Sequence, residues 1–344
     1  MSNPDRGRLA LNEAAKLSNY DIVIITGNEP KLFPSLNNVY IRKILKIPAL
    51  IISHIDSGQK IRKNRHRDAI IVSGFSTEFL IFTYIFSLLW TKSVYLVNHH
   101  NIQQAYRNTL MRAILKMYHY LNYKFIVNET SSILKDVGYS EQEINQHISL
   151  LHPLSQLDSS NLFNTEEFRQ KKIGLVGQFR PEKNFSKTLD SLLKLQKSLD
   201  FLLIIGTDDF SSFSEINLNG AKLLNTSNEE DYLAILASCD IIVLNYEKFK
   251  YFYRCSGVAA DAISAKTYVV CPNFPLMSSQ VNYPTQVGVL YDNESELEMA
   301  LKQALELVTG SNKEAFESHY VERSAEKMAS TLDQAIQARI VLNR

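Results

Sequence analysis

The chain has 344 residues, 45% of them hydrophobic, which is enough to bury the cores of two domains. Its three cysteines, Cys239, Cys255 and Cys271, have neither metal-ligand nor redox spacing. So few cysteines exclude a disulfide framework and favour a reducing compartment. The net charge of +1 conceals an asymmetry, because residues 1–153 carry 18 lysines and arginines against 11 acidic residues, whereas residues 154–344 carry 19 against 25.

Two features predict a cytoplasmic protein. The first residues are polar and lack the apolar core of a signal peptide. The longest apolar run, 79–90, is shorter than the roughly 20 residues that cross a bilayer. The basic first half could still meet an anionic surface, although a solvated loop at 60–67 would equally explain much of its charge.

Short apolar runs alternate with helical segments along the whole chain. In the first half, strands are predicted at 21–26, 49–54, 69–74, 93–98, 124–129 and 148–152, with helices at 77–90 and 102–121. The polar segment 152–168 is the predicted linker. In the second half, strands are predicted at 172–177, 201–206, 221–225, 240–245, 267–271 and 287–291, with helices near 184–199, 228–238, 256–265 and 294–309.

This alternation predicts an α/β fold with two Rossmann-like domains, each built on a parallel sheet. We expect the domains to span residues 1–153 and 169–325. A C-terminal helix at 326–344 is expected to return to the N-terminal domain. Such domains bind ligands at the carboxyl ends of their strands.

The first strand after the linker ends in a candidate phosphate-binding turn, GQFRPEKN. Gly177 lets the backbone approach a ligand closely. Arg180 and Lys183 could clamp a diphosphate, one as a planar fork and the other as a point charge. An ordinary turn with solvated charges would show the same pattern.

A second candidate lies at the start of the predicted helix 256–265. Ser256 and Gly257 open this helix, whose free amides and partial positive charge suit a phosphate. Asp261 follows one turn later and, when ionised, can accept hydrogen bonds from ribose hydroxyls. The spacing is typical of a nucleotide lying along a helix.

These motifs, in the order GQFRPEKN, IIGTDD and ASCDIIVLNYEKFKYFYRCSGVAADAISAKTYVV, resemble the nucleotide-binding half of GT-B glycosyltransferases. The resemblance is to the family-4-like group of bacterial polysaccharide assembly, which includes O-antigen, lipopolysaccharide and capsule. It covers residues 172–290 well and residues 1–153 only as a strand pattern. It implies that the C-terminal domain binds a nucleotide sugar and that the N-terminal domain binds the acceptor.

The resemblance also implies roles for single residues. Arg180 and Lys183 fall on the family's donor-diphosphate positions, although Gln178 stands where the family has an arginine. The family's two glutamates fall on Tyr253, beside Arg254 near the donor sugar, and on Asp261 at the ribose. Tyr253 thus departs from the pattern. The expected donor-nucleotide residues are Gly177, Arg180, Lys183, Ser256, Gly257 and Asp261.

The expected reaction needs no metal, because cationic side chains and a helix terminus can stabilise a leaving diphosphate. The chain has no Asp-x-Asp pair, and the adjacent Asp208 and Asp209 fit a helix cap better. No cofactor is expected, and the donor is predicted to be a UDP-sugar. An inverting reaction would need a base, for which His99 and His100 are the candidates. Both histidines could instead cap a helix.

The acceptor is the least determined partner. Asn98, Asn101 and Glu129 lie in strand-end loops and could bind sugar hydroxyls, and Glu29 is noted for the same reason. Aromatic and basic residues alternate with apolar ones along 103–124, which suits either a membrane surface or packing on the sheet. A lipid-linked saccharide at the inner face of the plasma membrane is therefore the expected acceptor, and no nucleic acid is expected.

Two alternatives share the fold: a non-catalytic assembly partner, which the missing first glutamate favours, and a nucleotide-sugar 2-epimerase. A dinucleotide oxidoreductase is disfavoured, because neither half has a Gly-x-Gly-x-x-Gly after its first strand.

Overall fold

A computed structural model describes residues 6–26, 39–88, 94–98, 100–155, 170–213, 217–218, 220–309 and 313–342. The chain divides into two compact units. The N-terminal unit comprises Arg8–Leu150 and Ala325–Arg344. The C-terminal unit comprises Leu151–Ser324 and Met1–Gly7. The predicted linker lies outside the described residues from residue 156 onward.

The N-terminal unit is built on a five-stranded parallel sheet in the order β1-β2-β3-β4-β5. The strands are β1 (Ile22–Thr26), β2 (Ala69–Ser73), β3 (Val94–Asn98), β4 (Lys124–Asn128) and β5 (Ile148–Leu150). They are short apolar runs, and β2 and β3 are buried along their whole length, as strands covered on both faces must be, whereas β1 is mostly half-buried. The helices are α1 (Arg6–Leu17), α2 (Val39–Lys63), α3 (Leu80–Phe86), α4 (Asn101–Arg107), α5 (Thr109–Tyr120) and α6 (Glu141–Ile144).

The strand predicted at 49–54 is wrong, because these residues lie inside α2. His54, Ser57 and Ile61 are buried while Ile52 is 58% exposed, which is the spacing of one helix face. A short continuous apolar run is compatible with a strand and with a buried helix. The residues on either side of the run determine which of the two forms.

The helix predicted at 102–121 is interrupted at Asn108. This residue is extended (φ −134°, ψ 116°), and its side chain accepts hydrogen bonds from the amides of Leu110 and Met111. Asn108 therefore ends α4 and caps α5, as asparagine commonly does at a helix start.

The C-terminal unit contains a six-stranded parallel sheet in the order β11-β10-β9-β6-β7-β8. The strands are β6 (Lys171–Val176), β7 (Phe201–Thr207), β8 (Lys222–Asn225), β9 (Ile241–Val243), β10 (Tyr268–Pro272) and β11 (Gly288–Tyr291). The helices are α7 (Phe185–Leu195), α8 (Glu229–Ser238), α9 (Lys248–Tyr251), α10 (Gly257–Ser264), α11 (Pro275–Asn282), α12 (Leu297–Thr309) and α13 (Lys313–Glu322).

The last helix, α14 (Ala325–Leu342), packs on the sheet of the N-terminal unit. Leu332 and Ile336 join a buried cluster with residues of the strands and of α1. Asp333 accepts hydrogen bonds from the backbone and side chain of Asn19 at 3.0 and 2.6 Å. The predicted return of the C-terminal helix is confirmed.

Candidate functional site

The candidate site of the C-terminal unit lies where its strand order reverses. The chain runs from β6 through β7 to β8 on one side, and from β9 through β10 to β11 on the other. Loops leaving two such neighbouring strands diverge and open a crevice at their carboxyl ends. Gly177 directly follows β6, and Asn245 follows β9 by two residues.

The turn at Gly177 requires glycine. Its φ is +136°, a region that residues with a side chain rarely adopt. A Cβ placed there would lie 3.4 Å from Lys183 Nζ and 3.6 Å from Val258 Cγ2 at the start of α10. The turn, the lysine and the start of α10 therefore meet at one place.

Lys183 is a partly buried cation in this crevice. Its ammonium lies 5.9 Å from the ring centroid of Tyr246. The pKa of Lys183 is lowered to about 8, chiefly by burial and then by the positive charge of Arg180. Arg180 itself is exposed, at the start of the short 3-10 turn Pro181–Lys183. An anion bound here would favour the charged form of Lys183 and offset the repulsion between Lys183 and Arg180.

The start of α10 is held rigidly. The Ser256 hydroxyl accepts a hydrogen bond from the amide of Ala259 at 3.1 Å and lies 3.0 Å from the Tyr246 hydroxyl. The Gln280 side chain accepts from the Ser256 amide at 2.8 Å and donates to its carbonyl at 3.1 Å. These contacts orient the first turn of a helix whose terminus suits an anion.

Asp261 is fully buried and has partners within the same unit. Its Oδ1 accepts from the Ser155 hydroxyl at 2.7 Å and pairs with Arg6, and its Oδ2 accepts from the Tyr232 hydroxyl at 2.9 Å. Burial and the Asp261 charge raise the pKa of Tyr232 well above its ordinary value. A ribose could reach this carboxylate only if at least one of these groups moved.

Tyr253 and Arg254 lie among aromatic rings. Tyr253 is 2% exposed and packs edge-on against Phe252 at 4.7 Å. The Arg254 guanidinium lies 5.0 Å from the Tyr251 ring centroid, and burial lowers its pKa. A buried phenol thus stands where the resemblance leads one to expect a carboxylate.

Asn245 is a residue that the sequence reasoning missed. It is 8% exposed, and within the described part of the chain its Nδ2 has no hydrogen-bond partner. A buried amide of this kind is costly unless a ligand or water satisfies it. The signal available in the sequence was an asparagine at the end of the apolar run DIIVLN.

No group of three or more potential metal ligands is found among the described residues. Asp209 has a local role, since its carboxylate accepts from the Ser211 hydroxyl at 2.6 Å and from the Ser212 amide at 3.3 Å. It therefore caps the following 3-10 turn, Ser211–Phe213.

Strand ends of the N-terminal unit carry the predicted acceptor residues. Asn98 ends β3 and is 4% exposed, and neither of its amide atoms has a hydrogen-bond partner in the described residues. Glu129 follows the neighbouring strand β4 and is 4% exposed with φ +66°. The Asn101 amide is used internally, because it donates to Thr77 Oγ1 at 2.8 Å.

His100, one of the two candidate catalytic bases, is exposed at the start of α4. His99 and Glu29 lie outside the described residues.

Comparisons identify the fold. No family model and no curated protein matches the sequence. A sucrose-phosphate synthase from Thermosynechococcus elongatus is 12% identical with a TM-score of 0.62, over 96% of this chain and 92% of that one. The lipopolysaccharide outer core galactosyltransferase WaaB is 10% identical with a TM-score of 0.60, over 86% and 81%. A glycosyltransferase from Rickettsia africae is 14% identical with a TM-score of 0.54, over 99% and 94%.

At these identities the likeness concerns the fold. The chain has the GT-B glycosyltransferase fold, with two parallel α/β sheets, and this prediction is confirmed. The family-4-like subgroup stays a prediction. Among the described helices, none is both long enough and apolar enough to cross a membrane.

Proposed function

We propose that this protein is a glycosyltransferase that moves a hexosyl unit from a nucleotide sugar, a UDP-sugar, to a saccharide acceptor. The observation that carries the proposal is the meeting of Gly177, the Lys183 ammonium and the start of α10 at the reversal of strand order. A glycine turn, a desolvated cation and a helix terminus are the groups that a diphosphate requires.

The chemistry follows from these groups. The bond between the sugar's anomeric carbon and the diphosphate breaks, and the acceptor oxygen forms the new bond. Lys183, Arg180 and the amides of α10 stabilise the negative charge that develops on the leaving diphosphate. Since these groups are cationic or carry partial positive charge, the reaction needs no metal ion.

We infer that the acceptor binds at the strand ends of the N-terminal unit. Asn98 supports this assignment, because its buried amide has donors and an acceptor that a sugar hydroxyl could satisfy. His99 or His100 would take the acceptor's proton in an inverting reaction. We further propose a lipid-linked intermediate of surface polysaccharide assembly as the acceptor, at the inner face of the plasma membrane. One of the similar structures is an enzyme of the lipopolysaccharide outer core.

A second candidate is a non-catalytic assembly partner with the same fold. Asp261 favours it, because its carboxylate is fully buried and already holds Arg6, Ser155 and Tyr232. A protein that had lost nucleotide binding could keep such a closed arrangement.

Calorimetric titration of the full chain with UDP, GDP, ADP and TDP, with and without EDTA, separates the two. We expect UDP to bind selectively and EDTA to have no effect. Lys183→Ala and Arg180→Ala should each weaken binding by about 1–3 kcal/mol, the range for hydrogen bonds to charged groups. Lys187→Ala is the matched control, since this lysine lies on α7 with 67% of its side chain exposed.

Absence of binding by any nucleotide would contradict the glycosyltransferase proposal and favour the assembly partner. If UDP binds, incubation with UDP-sugars in the absence of acceptor tests the remaining alternative. An epimerised sugar would identify a 2-epimerase, whereas transfer only in the presence of a saccharide supports the proposal.

A further inference from the structure

The outer face of α5 is apolar. Leu110 is 63% exposed, Met117 41% and Tyr120 70%, and Ala113 between them is also exposed. Steps of three, four and three residues place all four side chains on one side of the helix. We call these four residues the α5 stripe.

This arrangement departs from the usual surface helix. Leu115, Tyr118 and His119 already form the buried side of α5, so the stripe is not its core-facing surface. Solvent-facing sides of such helices are ordinarily charged. The stripe contains no charged residue.

Cations lie along the border of the stripe. The Lys116 ammonium is 5.8 Å from the Tyr139 ring centroid, so its apolar stem lies along the protein surface. Arg107 is exposed at the end of α4, next to Tyr106, which is 43% exposed. Two acidic residues act on the buried side of α5 and not on the stripe: Glu143 lies 3.7 Å from His119, and the charge of Glu78 acts on Tyr118.

The neighbouring helices extend the apolar surface. The strands of this sheet follow one another in chain order, and right-handed crossovers then place α2, α3 and α5 in one layer. Exposed apolar residues recur in this layer at Ile52 of α2, at Ile85 and Phe86 of α3, and at Leu88 just beyond it, with exposures between 39% and 58%. Scattered exposed apolar residues are normal, but a helix face made only of them marks an interaction surface.

We propose that the α5 stripe docks on the surface of an anionic lipid bilayer. Leu110, Met117 and Tyr120 enter the boundary between headgroups and acyl chains, and Lys116 and Arg107 contact the anionic headgroups. Charge complementarity selects a lipid surface, because residues 1–153 carry seven more basic than acidic residues. The proposal rests on the membrane location proposed above for the acceptor and names the surface that makes the contact, and it does not depend on the nucleotide site.

Flotation of the full chain with vesicles tests the proposal. Vesicles of phosphatidylglycerol and phosphatidylethanolamine are compared with vesicles of phosphatidylcholine alone. We expect binding to the anionic vesicles, weakened by added salt because charged headgroups contribute. L110S/M117S/Y120S should lower the partition coefficient by about tenfold or more, since three apolar side chains no longer insert. K116Q should reduce the difference between the two vesicle types.

The matched control is M299S/V321S/V341S, which replaces three apolar residues of similar exposure, 57%, 66% and 61%, on α12, α13 and α14. It should bind vesicles like the wild type. Circular dichroism verifies folding, and the single variant L110S replaces the triple variant if that does not fold.

Three results would overturn the proposal. The first is a wild type that binds neither vesicle type, and the second is an equal loss of binding in the stripe and control variants. The third is a wild type that binds no vesicles but forms a dimer in solution that the stripe variant does not form, which would make the stripe an interface between copies of this chain. UDP titration of the same variants distinguishes failure of the membrane proposal from failure of the glycosyltransferase proposal. The stripe variants should bind UDP like the wild type whether or not they bind vesicles.

Discussion

Nucleotide affinity should depend on pH through Lys183, whose pKa is lowered from 10.5 to about 8. A bound diphosphate holds the lysine charged, so its pKa rises in the complex. Above pH 8 the free protein must take up a proton in order to bind. We therefore expect affinity to fall as the pH rises above 8, well below the range in which an ordinary lysine titrates.

The magnitude follows from the size of the pKa change. A change from 10.5 to about 8 corresponds to about 3 kcal/mol, at 1.36 kcal/mol per pH unit. Affinity should then fall by up to tenfold for each pH unit above 8, until the pKa of the complex is reached. Unfolding is linked in the opposite sense, because the unfolded chain binds this proton more tightly, and the contribution of Lys183 to stability rises between pH 8 and 10.5.

Titrations with UDP between pH 7 and 9.5 check this. Lys183→Arg keeps its charge over that range and should show a nearly constant affinity, and Lys183→Ala should bind weakly at every pH. Repeating the wild-type titration in buffers of different ionisation enthalpy should reveal proton uptake at high pH. A wild-type affinity that stays constant up to pH 9.5 would refute the reasoning, as would an equal decline in Lys183→Arg.

Three further expectations concern buried groups. Asp261→Ala leaves Arg6 and two hydroxyls without their partner and should cost about 3–5 kcal/mol of unfolding free energy, measured in urea. Arg6→Ala keeps the two hydroxyls in place but frees one side of the Asp261 carboxylate. UDP should therefore bind more tightly if this carboxylate contacts the ribose. An unchanged UDP affinity would argue against that contact. His147 has its pKa lowered to about 3, chiefly by burial and then by the charge of His119. Because the unfolded chain takes up this proton near pH 6.5, stability should fall as the pH drops below that value, by about 2–3 kcal/mol at pH 4.5. His147→Gln should show a smaller loss in urea unfolding at pH 7 and 4.5, and an identical loss would exclude His147 as the cause.

Eleven of the predicted strands coincide with strands of the structure, because buried parallel strands are short apolar runs that composition alone reveals. The run at 49–54 has the same composition but belongs to a helix of 25 residues. What distinguishes it is the burial of His54, Ser57 and Ile61 at helical spacing, and two of these residues are polar. The buried face of this helix is therefore partly polar, and a search for apolar periodicity does not detect it.

Local motifs indicate which residues share one turn, whereas contacts between distant residues do not follow from them. Gly177 and Lys183 belong to one turn, so the sequence contained the geometry that joins them. Arg6 and Ser155 contact Asp261 from distant parts of the chain. The spacing of residues in the sequence does not predict such contacts. The sequence pattern along 103–124 also does not show which of its aromatic residues are exposed. Tyr118 and Tyr123 are buried, and the exposed face consists of Leu110, Met117 and Tyr120.

The return of α14 to the first sheet affects the order in which the protein can mature during synthesis. Ile71, Val97 and Ile126 form an apolar sheet face that α14 helps to bury. They leave the ribosome well before α14, which is the last helix of the described chain. Until it emerges, this sheet exposes apolar surface on which nascent chains aggregate. The unit whose strands are translated first is therefore the one that finishes folding last, and a stop codon placed before α14 would damage the N-terminal unit.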